Sequence, residues 1–127
     1  MAQENSTVEE MRKNFLGEKL YLVFLRPTET ADERGEARKA HFEFVRGLEC
    51  SGKLFLAGPY IDEETEKPTG EGLFIMVGST QSEIEQILKD DPFFQGGYRT
   101  YHIQPWRLNE GRITVTLNYS DKSLSLN

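Results

Sequence analysis

Cysteine occurs once in this 127-residue chain, as Cys50, and histidine only twice, as His41 and His102. A single thiol excludes an intramolecular disulfide framework and fits a reducing compartment. Neither histidine has a second soft ligand at metal spacing, so no metal is expected. Positive charge is also in deficit: 15 Lys and Arg stand against 21 Asp and Glu, a formal charge of -6. That balance argues against nucleic acid or an anionic membrane surface as a partner. The longest apolar runs, such as Leu73 to Val77, are too short to span a bilayer. The opening Met1-Ala2-Gln3-Glu4-Asn5 has neither a basic start nor an apolar core, so no secretion signal is visible and a cytoplasmic location is expected. Dinucleotide-binding glycines after a strand, a phosphate loop and a nucleophile elbow are all missing, and no organic cofactor is expected.

What is present suits one soluble globular domain: 37% hydrophobic and 28% charged residues. Residues 1–18 read as a leader, with a capping box at Ser6 and Glu9 and Val8, Met11 and Phe15 on one face of a short helix. Leu20 to Leu25 is apolar on both alternating faces and reads as a strand covered on both sides, stopped by Arg26-Pro27. Thr30 and Glu33 repeat the capping spacing before a long helix. Its stripe Ala37, His41, Phe44, Val45 and Leu48 faces inward, and Ser51-Gly52 ends it. Lys53 to Ala57 is a second strand closed by Gly58-Pro59, and the acidic stretch from Asp62 to Glu66 is an exposed connection.

Gly72 to Val77 is a third strand, again apolar on both faces. Thr80 and Glu83 cap a second helix carrying Ile84, Ile87 and Leu88, and Gly96-Gly97 turns the chain into a fourth strand, Tyr98 to Leu108. Residues 112–119 alternate and predict a further, half-buried strand that seals a sheet edge. The polar tail from Ser120 is expected to fray. The order through residue 108 is the βαββαβ plan of an α+β, ferredoxin-like fold with an antiparallel sheet. The expected organisation is a leader (1–18), the domain proper (19–108) and a C-terminal strand and tail (109–127). Two helices cover one face of four strands. The doubly apolar strands therefore predict that a second copy of the chain covers the other, making a homodimer.

Two residues break local rules. His41 sits in an apolar helix stripe, where a polar ring must find a hydrogen-bond partner. It reads either as a satisfied core histidine or as a general acid/base. Asp91 continues the inward face of the second helix and, with Asp90, puts negative charge at a helix C-terminus where the dipole disfavours it. It reads either as the N-cap of the turn Asp91-Pro92-Phe93-Phe94 or as the partner His41 needs. Arg38, one turn before His41, and Tyr60 are candidates to hold an anionic or phenolic oxygen. Phe93, Tyr98 and Trp106 are candidates to line a pocket for a planar ligand, although such rings also serve as core and interface filler. Cys50 reads as a small packing residue.

Arg38-x-x-His41, Gly58-Pro59, Gly72, Asp91-Pro92-Phe93, Gly97 and Pro105-Trp106 come in an order and spacing that resemble the YciI-like (YCII-related) family over about residues 20–108. The resemblance implies a ferredoxin-like fold of the dimeric α+β barrel type, related in architecture to muconolactone isomerases. It also implies an active-site His–Asp pair on His41 and Asp91. Among relatives with assigned chemistry it implies a dehydrochlorinase of a chlorinated hydroxyquinol. The functional expectation is a cofactor-independent lyase or isomerase acting on a small cyclic or aromatic oxygenated compound. The alternative is a small-ligand-binding or protein-interaction module on the same fold without turnover. The leader and the C-terminal strand depart from the plain family pattern.

Overall fold

Alternate residues of the first strand, β1 (Glu18–Pro27), part company: Tyr21, Val23 and Leu25 are buried while Leu22 and Phe24 are half-buried. The computed structural model describes residues 7–126, and in it β1 pairs antiparallel with β3 (Pro68–Met76), in register Tyr21 to Met76 and Leu25 to Gly72. β3 also pairs antiparallel with β2 (Leu54–Ile61), and β4 (Arg99–Leu108) completes the order β2-β3-β1-β4. That is the sheet order of a ferredoxin-like fold. Opposed residues of an antiparallel pair share a face. Tyr21, Val23, Leu25, Phe74 and Met76 therefore form the inner layer, with Ile103 of β4 in the same cluster. Leu22, Phe24, Leu73 and Ile75 lie on the outer side.

Helices α2 (Arg38–Cys50) and α3 (Gln81–Leu88) supply Leu48, Ile84 and Leu88 to the inner layer, with Phe44, Val45 and Ile87 packed beside them. Gly52 ends α2 at φ +78°. Lys53 N–H donates to Leu48 C=O and Gly52 N–H to Glu49 C=O, the paired bonds of a Schellman cap. Thr80 caps α3 by accepting from Glu83 N–H at 3.2 Å, while the Glu83 carboxylate accepts from Ser79 N–H at 2.8 Å. No helix among the described residues is long and apolar enough to cross a membrane.

Four local expectations are corrected. The capping box at Thr30 does not form, because residues Ala31–Ala37 make a 3-10 helix ahead of α2. The Thr30 hydroxyl instead donates to Gly97 C=O at 3.2 Å, beside the 2.6 Å bond from Thr28. β2 does not close at Gly58-Pro59 but runs through them, pairing Gly58 with Leu73 and Pro59 with Gly72. An edge strand has one side free of ladder bonds, so it tolerates the missing proline N–H. The alternating segment 112–119 contributes only a three-residue strand, β5 (Val115–Leu117), exposed throughout. The tail does not fray; it returns as β6 (Leu124–Leu126), pairing Val115 with Leu126 and Leu117 with Leu124. Asp121, accepting from Ser123 N–H at 2.9 Å, shapes the connection between them.

The chain divides into two compact units, one of residues Lys19–Arg107 and one of the described residues up to Glu18 with those from Leu108 on. The second unit holds the β5–β6 hairpin and α1 (Val8–Lys13). Ser6 of the expected cap lies outside the described residues. The capping box is instead Thr7 with Glu10, each accepting from the other's backbone N–H. Leu16 N–H donates to Asn109 C=O at 3.1 Å within this unit.

Candidate active site

The periodicity of α2 turns His41 inward, and it is 5% exposed. The helix α4 (Pro92–Gln95) begins with Asp91 as N-cap and Pro92 in its first turn, which fixes the Asp91 carboxylate at the fully buried end of that turn. Asp91 Oδ1 accepts from Phe93 N–H at 2.9 Å and meets His41 Nδ1 at 2.7 Å. The capping role and the histidine-partner role therefore coexist on one oxygen. Because that oxygen already accepts from Phe93, Nδ1 of His41 is the natural donor, and Nε2 is left for whatever enters. Asp91 Oδ2 is buried with no partner among the described residues.

The imidazole is held by rings as well as by the carboxylate. Phe93 lies 3.8 Å from it, centroid to centroid and 9° from parallel, and Phe74 lies 6.5 Å away at 14°. A near-parallel stack of this kind fixes the ring plane. Two guanidinium groups sit over the Phe93 ring, Arg99 at 4.9 Å and Arg34 at 5.8 Å, within cation–π distance.

In front of His41 opens a cavity of about 410 Å³ with apolar walls from Leu25, Val45 and Phe74 and charged walls from Arg34, Arg38, Arg99 and Glu71. Gly58, Pro59 and Gly72 line it as well. A Cβ at Gly72 would stand 2.9 Å from Gly58 O and 3.3 Å from Pro59 Cα, both backbone, so only glycine lets β2 and β3 approach so closely here. Burial pulls the Arg99 guanidinium below its ordinary range, the Asp91 charge opposes that shift, and neighbouring Arg34 adds to it.

The structure brings His41, Arg38 and Phe93 into the wall of this one cavity, with Asp91 buried behind it on His41 and Phe93. It puts Tyr60 elsewhere, in the wall of a second cavity of about 570 Å³ with Phe24, Thr100 and His102. Tyr60 follows the inward Pro59 in the strand, so alternation sends it to the opposite face. Tyr98 and Trp106 line neither cavity. The Tyr98 ring packs over Gly96, whose absent Cβ would lie 2.3 Å from it. Arg34, Arg99 and Phe74 were missed by sequence reasoning. A signal existed for Arg99, since the step of two from buried Ile103 through Tyr101 places it on the inner face.

The profile of the YCII-related domain matches residues 19–107. The fold is also that of the 5-chloro-2-hydroxyhydroquinone dehydrochlorinase of Burkholderia phenoliruptrix AC1100, solved in complex with 2,5-dihydroxybenzoquinone. That chain is 21% identical with a TM-score of 0.58, over 68% of the present chain and 92% of the dehydrochlorinase. No functionally curated protein matches the sequence.

Proposed function

The chain belongs to the YCII-related domain family, and from that premise we propose that it is a small-molecule enzyme in which His41 transfers a proton and Asp91 orients it. The observation that carries this reading is the 2.7 Å bond between His41 Nδ1 and Asp91 Oδ1 at the wall of a ligand-sized cavity. With Nδ1–H committed to the carboxylate, Nε2 carries the lone pair. It takes a proton from a carbon beside a carbonyl or from a phenolic O–H, and the resulting imidazolium is held by Asp91. Returning the proton to a departing group gives elimination; returning it to a neighbouring carbon gives isomerisation. Phe93 keeps the imidazole plane fixed throughout, and Arg38 offers a guanidinium to the oxygen that gains charge. The substrate class is a cyclic or aromatic oxygenated compound, a class to which the compounds named for the dehydrochlorinase and its complex belong.

A panel of hydroxylated and halogenated hydroquinones and quinones, followed by NMR in deuterated water and by halide release, tests the reading. Proton–deuterium exchange or turnover is expected for the unaltered protein, and its persistence at full rate in folded His41→Ala protein overturns the mechanism. Binding across the panel with no exchange favours a ligand-binding module.

The reading includes a second copy of the chain over the outer sheet face. That face carries Leu22, Phe24, Leu73 and Ile75 in register, with Leu56 58% exposed and Trp106 38% exposed beside them. An apolar face of this extent on a lone monomer invites association. Sedimentation equilibrium should show a dimer; a 14.6 kDa species alone over a wide concentration range removes this part.

A further inference from the structure

Three arginines converge on the His41 cavity in a protein whose net charge is -6, and none of them makes an ion pair among the described residues. We propose that Arg34, Arg38 and Arg99 form a carboxylate seat, and that the ligand of this cavity is a flat organic acid whose ring lies against Leu25, Val45 and Phe74. The proposal rests on the reading of this cavity as the substrate site and names the class of compound that fills it.

Arg99 carries the argument furthest. It is half-buried in the wall and touches the face of Phe93, yet it has neither a hydrogen-bond acceptor nor a carboxylate within ion-pair reach among the described residues. A charged group withdrawn from water without an ion pair is unfavourable, and burial depresses its basicity even though the Asp91 charge opposes that shift. Arg34 sits over the same ring, so two like charges face one small volume; one Arg34 donor bonds Ala31 C=O at 2.7 Å, which fixes the side chain in place. An anion between the two guanidinium groups removes both penalties.

The carboxylates of the protein itself do not serve. Asp91 is fully buried, its Oδ1 is taken by His41 and Phe93, and although its charge is felt at Arg99, its Oδ2 makes no hydrogen bond to any of the three guanidinium groups. Glu71, on the cavity rim, pairs with Arg26 at 3.8 Å. The Glu71 charge also disfavours a dianion such as phosphate more than a monoanion. Planar guanidinium forks match a planar carboxylate through paired N–H bonds. Apart from His41 and Glu71 the rest of the wall is apolar, and about 410 Å³ accommodates a ring, near the lower end of small-ligand sites.

Isothermal titration with benzoate, benzamide and inorganic phosphate tests the seat on the whole chain. Benzoate is expected to bind at least about tenfold more tightly than the isosteric neutral amide, because charge-assisted bonds exceed neutral ones. It should weaken with added salt, and phosphate should bind less well than benzoate. Arg99→Gln and Arg34→Gln should each lower benzoate affinity by about tenfold and leave benzamide unchanged. Lys39→Gln, an exposed cation on the other side of α2 paired with Glu43, should change nothing. Equal binding of benzoate and benzamide, no binding of either, or preference for phosphate overturns the proposal. Should an arginine variant fail to fold, the comparison of the three ligands on unaltered protein decides alone. His41→Ala protein is expected to keep its preference for benzoate, so loss of proton exchange and loss of anion binding are read separately.

Discussion

The two faces of the central sheet each carry one histidine, and the two residues are in opposite condition. On the helix-covered face His41 is 5% exposed, bonded to a buried carboxylate and stacked at 3.8 Å on Phe93. On the outer face His102 is exposed, lies 6.2 Å from the Phe24 ring and has no hydrogen-bond partner among the described residues. Both border a cavity, and the outer one is the larger. Volume and a nearby imidazole are therefore not what distinguishes a site. The difference lies in cover: helices α2 and α4 hold one ring with one nitrogen committed, while among the described residues no hydrogen bond holds the other ring.

The largest effect should separate the two histidines directly. His41→Ala should lower exchange or turnover by about 10²–10⁴-fold, the usual weight of a positioned acid/base, whereas His102→Ala should stay within about twofold. Equal losses in the two variants would erase the distinction between the faces. Asp91→Asn should follow His41→Ala in direction, since it changes the group that sets the imidazole tautomer.

Stability should divide along the same line. Ile84, fully buried on the inner side of α3, should cost about 2–5 kcal/mol on replacement by Ala, read as a lowered midpoint in urea. Leu56→Ser on the outer face should move the unfolding of a lone chain by only about 0.5 kcal/mol, because Leu56 is 58% exposed. Its main effect should be weaker association, measured by sedimentation. Gly72→Ala falls between the two, at about 1–3 kcal/mol, because its new methyl group meets the β2 backbone.

These contrasts also mark how far the sequence could be read. Strands β1 and β3 were legible from runs too apolar for one covered face, and α2 from the stripe through His41 and Leu48. Asp91 was legible as a conflict, a charge on an inward helix face, which only a nearby donor resolves. What was not legible depended on contacts distant in sequence. Thr30 has the look of a cap, but its hydroxyl is drawn to Gly97 C=O 67 residues away. Pro59 has the look of a stop, and only its place on an edge strand lets β2 continue. Arg34 stands in unremarkable surroundings along the chain, alternation with Ile103 marks no more than the face on which Arg99 lies, and only the packing of Phe93 brings both to one ring. Tyr60 and Trp106 were grouped with the site by residue type, although strand alternation sends Tyr60 to the other face.

The smallest effect concerns a second carboxylate at a helix start, the exposed counterpart of Asp91. Glu83 accepts from Ser79 N–H at 2.8 Å and lies 3.4 Å from Lys53 Nζ, and both contacts, the backbone bond foremost, lower its pKa below the ordinary 4.5. A depressed folded-state pKa means that the ionised form is preferred in the folded chain. Its contribution is fully present above the unfolded value of 4.5 and is lost as pH falls through the lower folded value. Glu83→Gln should therefore reduce the melting temperature slightly at pH 6–7, and the gap to the unaltered protein should close on acidification below pH 4.5. Since the group is exposed, added salt should shrink the gap further. A gap that stays constant from pH 7 to pH 3 would show that the carboxylate's charge contributes nothing, leaving Thr80 alone to cap α3.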